Sequence, residues 1–363
     1  MVQSSRKPLF GDVAADLEDG LPEKCLAAIA ESDFPFAAIG IDMAAQEDKW
    51  GLTVIALKRG LNEGVMRLTL PHRFDVEGFK KKHPIKPALE LIRRILEALA
   101  AKKVVTAVAV DVPFGWPVEQ ADFLGSWMAV PGTNALKRTP PRPRFEYRLC
   151  DRAMKCVLES QGRSGAVLSV AADKIACAAF QWAANRERLP GAACVDVGLE
   201  PTLDREISYL EAYPSAFVRL NYPTCAGYKK VAGVEQAGEE AVSDQAVRHG
   251  RRELLAAILG EYKIDSAAWG TALEGACESS TSDAFDGFLS AIIAWDYLKW
   301  RHEGESHRIR ISSPTALLGE RPVVRESTRI RKEGWMLIRL PENAENASGA
   351  REAGAEENGT GEQ

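Results

Sequence analysis

Residues 36–44, FAAIGIDMA, form a short apolar run interrupted by one acid, Asp42. Apolar side chains on successive rather than alternate positions mark a strand covered on both faces. Residues 104–110, VVTAVAV, are a second run of this kind, and it too leads into an acid, Asp111, ahead of Val-Pro-Phe-Gly-Trp-Pro. Between them, residues 87–101 (PALELIRRILEALAA) place apolar side chains at 88, 89, 91, 92, 95, 96 and 99. That is a helical period, with Pro near the first turn where its missing N–H costs nothing. A buried strand, a crossover helix and a second buried strand make a parallel pair. Residues 50–58 (WGLTVIALK) and 65–70 follow the first run closely across segments holding Gly60 and Gly64, so the first three strands read as an antiparallel meander.

Working outward, helices are expected over 151–160, 171–188, 243–261 and 283–302, and a short strand over 208–213. The segments RIRISS and WMLIRL read as edge strands. The fold class is α/β, a mixed sheet with helices on both faces. One domain spans 31–340 and carries insertions within 112–205 that read as an inserted helical/loop lid, with Pro, Gly, Trp and Arg over 112–150 suiting a structured loop. Residues 1–30 read as a flexible or peripheral segment. Residues 341–363 are rich in Gly, Ala, Glu and Asn, lack aromatics, and read as a disordered acidic tail.

The formal net charge is −5, and residues 342–363, with six Glu and one Arg, account for −5 by themselves. The body of the chain is therefore near neutral, and only local patches bear on the choice of partner. No apolar run approaches the ~18 residues of a membrane span, and the first twenty residues lack the apolar stretch of a secretory signal. A cytoplasmic location without membrane attachment is the expectation. The seven cysteines are scattered without C-x-x-C pairs, and the five histidines show no ligand spacing. Oxygen ligands are the metal chemistry on offer, which points to Mg²⁺ or Mn²⁺.

Five acids sit at the edges of core segments: Asp42, Asp111, Glu211 in SYLEAYPSAF, and Asp283 with Asp286 in TSDAFDGFLSAIIAW. A carboxylate beside buried apolar residues carries a desolvation cost unless it is compensated. Each has an ordinary reading. Asp42 can be a hydrogen-bonded strand end, Asp111 a turn residue before Val-Pro, and Asp283 a helix cap alongside Ser282. Glu211 can be a polar-face strand residue, because alternation sets it opposite Leu210 and Ala212. Asp286 is harder to explain away, since it heads the apolar stripe Phe288, Leu289, Ile292, Ile293. If the two buried strands are neighbours, Asp42 and Asp111 project near each other, and such a pair repels unless a cation lies between. Convergence of all five on a divalent metal is the reading adopted, with Asp42, Asp111, Asp283 and Asp286 as ligands.

Residues 137–155, KRTPPRPRFEYRLCDRAMK, concentrate Arg138, Arg144, Arg148 and Arg152 among aromatics. Arg beside aromatic rings suits phosphate contact and base stacking, the signature of a nucleic-acid partner. The alternative is a solvated loop with a structural Arg148–Asp151 pair at a helix start. Lys229 and Lys230 form a lesser basic spot.

The motifs IGIDMA, AVDVPFGWP, FEYRLCDRAM, EAYPSAF and SDAFDGFLSAIIAW, spread from about residue 36 to 300, resemble the DUF429 family of predicted ribonuclease H-like nucleases. The resemblance implies a ribonuclease H-like sheet of order 3-2-1-4-5 and a two-metal phosphodiester hydrolase acting on DNA or RNA. Asp42 would bridge both metals, Asp111 would be the fourth-strand acid, Asp283 and Asp286 the helix acids, and Glu211 the fifth-strand acid as ligand or neighbour of one. Metals ~3.5–4 Å apart would activate a water and stabilise the leaving oxygen. One position departs from the pattern: many members carry an acid after the Pro of EAYP, where this chain has Ser215. Two rivals stand beside this reading. A non-catalytic nucleic-acid or protein-binding module would keep the fold without the chemistry. An actin-type ATPase or kinase relative would need a Gly-rich phosphate turn after the first strand, where this chain has MAAQEDKW.

Overall fold

The computed structural model describes residues 34–43, 50–69, 87–122, 146–163, 167, 169–170, 173–199, 205–229, 240–267, 270–279, 281–303 and 309–341. The expectations for the N-terminal segment, for the acidic tail, and for Arg138, Arg144 and Lys230 lie outside the described residues.

Five strands form the centre of a six-stranded sheet: β1 (Phe36–Asp42), β2 (Gly51–Leu57), β3 (Gly64–Thr69), β4 (Val105–Asp111) and β5 (Ile207–Glu211). A two-residue strand, β6 (Ile264–Asp265), joins at the edge, giving the order β5-β4-β1-β2-β3-β6. β1, β2 and β3 are antiparallel neighbours, whereas β1–β4, β4–β5 and β3–β6 pair in parallel. The meander and the parallel pair are as the hydrophobic runs imply; β6 is too short to leave a pattern of its own.

Each face of the sheet carries a core. Ala37, Ile39 and Ile41 of β1 and Val108 and Val110 of β4 pack with α1 (Pro87–Ala101). Ala38, Ala107, Ala109 and Leu210, of the opposite parity, face α7 (Asp283–Glu303), which lies across β1, β2 and β4. Further helices among the described residues include α2 (Leu149–Ser160), α3 (Asp173–Asn185), α4 (Pro214–Asn221), α5 (Glu240–Tyr262), α6 (Gly270–Glu278), α8 (Pro314–Leu318) and α9 (Glu320–Glu333).

Three expectations are corrected. Within the insertion read as a lid, α2 and α3 are parts of the core: Ala153, Met154 and Val157 enter one layer, Ala178, Ala179 and Trp182 the other. The segments read as edge strands do not extend the main sheet as strands, although Met336 makes an isolated parallel bridge to Glu211 at the end of β5. Arg310–Ile311 (β7) and Arg339–Leu340 (β8) pair with each other in a small second sheet. The strand expected over 208–213 stops at Glu211, because Pro214 opens α4 at its first turn, where it loses no hydrogen bond.

Candidate metal centre

β1 and β4 run in parallel and in register, and the last pair of that register is Asp42 with Asp111. By alternation both acids share the parity of the residues that face α7: Ala38 and Gly40 on one strand, Ala107 and Ala109 on the other. Their side chains therefore emerge from the same face, at the carboxyl ends of two central strands, where parallel sheets gather ligands.

Two glycines bring the helix down to them. A Cβ on Gly40 would sit 2.1 Å from the Gly287 oxygen and the Ala291 nitrogen, and one on Gly51 would sit 2.0 Å from the Asp283 oxygen. The first turns of α7 thus rest with main chain against main chain on β1 and β2. Asp286, one turn into the helix and only 1% exposed, is pressed towards the strand ends. One oxygen each from Asp42, Asp111 and Asp286 lies within 4.8 Å of the others.

Bringing these carboxyls together is electrostatically costly, and their protonation shows it. Burial pushes Asp42 well above the usual carboxylate range, and the charges of Asp111 and Asp286 add to the effect. Burial likewise raises Asp111 to about 7, with Asp286 and Glu211 reinforcing and Lys229 opposing. Lys229 is the nearby compensating cation. Its Nζ lies 2.8 Å from Asp286 Oδ2, while the Tyr228 hydroxyl donates to Asp286 Oδ1 at 2.8 Å. Burial disfavours the Lys229 charge, but Asp286, Tyr228, Asp111 and Asp42 outweigh it and hold the ammonium well above its ordinary range.

The remaining sequence candidates divide. Asp283, half-buried, lines the same cavity and its charge acts on Asp42, without joining the three-oxygen cluster. Glu211 also lines the cavity, but it has the parity of Tyr209, on the opposite face of β5 from Leu210, and its oxygens are engaged by Arg148. Arg148 Nη1 and Nη2 donate to its two oxygens at 2.7 and 2.5 Å, and the Phe114 N–H donates to Oε2 at 3.0 Å.

Arg148 lines the cavity with Glu211, and its guanidinium is taken up by a buried clamp. It is 1% exposed, donates through Nε and Nη2 to Asp151 at 3.1 and 2.9 Å, and reaches the Glu333 carbonyl through Nη1 at 3.1 Å. The Arg148–Asp151 pair at a helix start, the alternative reading of this motif, is what the fold contains, extended to Glu211. A buried guanidinium with carboxylates on two sides is a planar bidentate clamp, which suits Arg and not Lys. Arg152 is half-buried on α2.

Tyr228 and Lys229 were underrated by the sequence. Tyr228 bonds Asp286 across 58 positions of the chain, and no local pattern carries that information. A weak signal exists in Tyr-Lys-Lys close after a short helix, in a body with no net charge to spare.

The fold and site together define an α/β protein with a mixed sheet, bearing a carboxylate cluster where two parallel strands and a helix start converge. The family model described as "Protein of unknown function (DUF429)" matches residues 40–310, and the chain belongs to that family. No curated protein and no solved structure matches it. Among the described residues no helix is long and apolar enough to cross a membrane.

Proposed function

We propose that this protein is a divalent-metal-dependent phosphodiester hydrolase of the ribonuclease H-like class, a nuclease acting on DNA or RNA. Asp42, Asp111 and Asp286 are its metal ligands and Asp283 stands beside them. One observation carries the reading: three carboxylate oxygens from separate elements lie within 4.8 Å of one another. Opposite ligands of an ion held at ~2.1 Å are about 4.2 Å apart, so small side-chain rotations suffice for a common ion. The donors are all hard oxygens, which favours Mg²⁺ or Mn²⁺ over zinc or copper.

The sheet supports the same reading. Its five longer strands, taken from the β3 side, run 3-2-1-4-5, the order that the ribonuclease H-like class leads one to expect. The cavity over the carboxylates is about 630 Å³, within the ~300–1,000 Å³ of small-ligand sites. That is room for a nucleotide and its flanking phosphate. A divalent cation bound there would supply Lewis-acid stabilisation of developing phosphoryl charge and a more acidic water. The chain's own part is to hold the three carboxylates at fixed spacing on a sheet and a helix, and to present the Lys229 ammonium to anionic oxygens of the substrate.

The experiment is a panel of single-stranded, duplex, hybrid and branched DNA and RNA, incubated with the protein and Mg²⁺ or Mn²⁺. Cleavage of at least one substrate is expected, with Asp42→Asn and Asp286→Asn abolishing turnover while keeping a cooperative melt. A wild-type protein that binds metal yet cleaves none of them overturns the proposal.

A further inference from the structure

We propose that this site takes a single divalent cation and that Lys229 supplies, from within the chain, the positive charge a second one would bring. The inference deepens the metal reading above and rests on it.

The charges lining the cavity set the problem. Arg148, Asp151 and Glu211 line it as one paired group, and the four carboxylates Asp42, Asp111, Asp283 and Asp286 open into it together with Lys229. One divalent ion leaves that set of four carboxylates two charges short of neutrality, and the ammonium supplies one of them. Glu211 and Asp151 also line the cavity but are held by Arg148, so a second ion would have to draw on Asp283 and on a bridging Asp286. Glu211 spends both oxygens on Arg148. Asp286 already accepts from Tyr228 on one oxygen and from Lys229 on the other. A carboxylate offers about four lone-pair sites, so Asp286 can still bind one metal, but bridging two would mean displacing the lysine.

Lys229 is also delivered to this place by its surroundings. The Tyr228 carbonyl accepts from Arg251 Nε at 2.9 Å, and Arg251 Nη1 donates to the Ser279 carbonyl at 2.7 Å. Arg251, 2% exposed, thereby ties the turn bearing Lys229 to the segment that leads into α7. Lys229 lines the cavity with a side chain that is 37% exposed, which leaves it within reach of a bound anion. Unlike a metal ion, it cannot dissociate, and it neutralises part of the cluster at any metal concentration.

Mn²⁺ alone is the probe, counted by titration calorimetry and by electron paramagnetic resonance of the bound ion. Wild-type protein should bind one equivalent with the spectrum of an isolated ion. Lys229→Met should bind two, with the spectrum of a spin-coupled pair, and Lys229→Arg should stay at one. Two equivalents in the wild type overturn the proposal, as does Lys229→Met remaining at one. Should Lys229→Met fail to fold, the wild-type count still decides. A wild-type chain that binds no Mn²⁺, and so behaves like Asp42→Asn, sinks the metal reading itself, which separates the two failures.

Discussion

Asp42 and Asp111 are register partners at the ends of adjacent parallel strands, with Asp286 lowered onto them by a helix that touches the sheet through glycine. Three carboxyls held this way store repulsion in the metal-free protein, and that repulsion gives the site its measurable properties.

Removing one of the three should therefore stabilise the metal-free chain while destroying its affinity for metal. Asp42→Asn keeps the shape and deletes a charge that burial and Asp111 both disfavour. A gain in stability is expected in chelator, since the folded chain no longer has to hold that carboxyl against burial and its acidic neighbours. Addition of Mg²⁺ or Mn²⁺ should raise the melting temperature of the wild type and leave the variant's unchanged. Thermal melts with and without metal check both halves.

The pH dependence has a definite sign. Asp111 is raised to about 7 and Asp42 is raised as well, so the folded state binds more protons at these sites than the unfolded chain does. This contribution is complete below the ordinary carboxylate value of ~4 and is lost as pH rises through the folded values. In chelator, stability should fall between roughly pH 5 and 8. Metal binding near neutrality should release protons, because the ligands must ionise. Denaturant midpoints across that range, and binding heats compared in buffers of different ionisation enthalpy, test the two statements.

Gly40→Ala should separate the helix from the sheet. Its Cβ would fall 2.1 Å from main-chain atoms of α7, and no rotamer change relieves a clash with backbone. A loss of about 3 kcal/mol or more is expected, at the upper end of overpacking costs. The metal affinity of whatever folds should fall with it, because Asp286 moves away from the strands. Chemical denaturation and Mn²⁺ titration of the same preparation would show whether both change together.

Arg148→Met should act on stability and not on substrate contact. It leaves Glu211 and Asp151 buried without their cation, a situation worth about 3–5 kcal/mol. Arg148→Lys should rescue little, since one ammonium cannot reproduce the bidentate contacts to both acids. If unfolding midpoints were unchanged while activity fell, the clamp reading would be wrong and Arg148 would return as a substrate contact.

Much of the sheet was legible in the chain. The runs at 36–44 and 104–110 are apolar on consecutive positions, which only a strand buried on both faces tolerates, and the helix between them forces parallel pairing. α9 escaped notice because ERPVVRESTRIRKE is mostly charged and buries only Val323, Ile330 and Glu333, so its apolar face is narrow. Glu211 shows both sides of the matter. Its parity, opposite Leu210, was readable, yet its engagement with Arg148 joins positions 63 apart.

The register of the strands came from the fold; by itself the order of residues determined the central strands, the parallel pairing of two that lead into acids, and the helix that starts with two more. Those features follow from local periodicity and from short-range rules of chain connection. Which acids actually meet was decided only in three dimensions. The approach of α7 depends on glycines in β1 and β2, the withdrawal of Glu211 on an arginine far along the chain, and the presence of Lys229 on a turn anchored by Arg251. Contacts between distant positions leave no periodic trace in a single sequence, because each partner is individually compatible with many surroundings and is selected only by the packing that joins them.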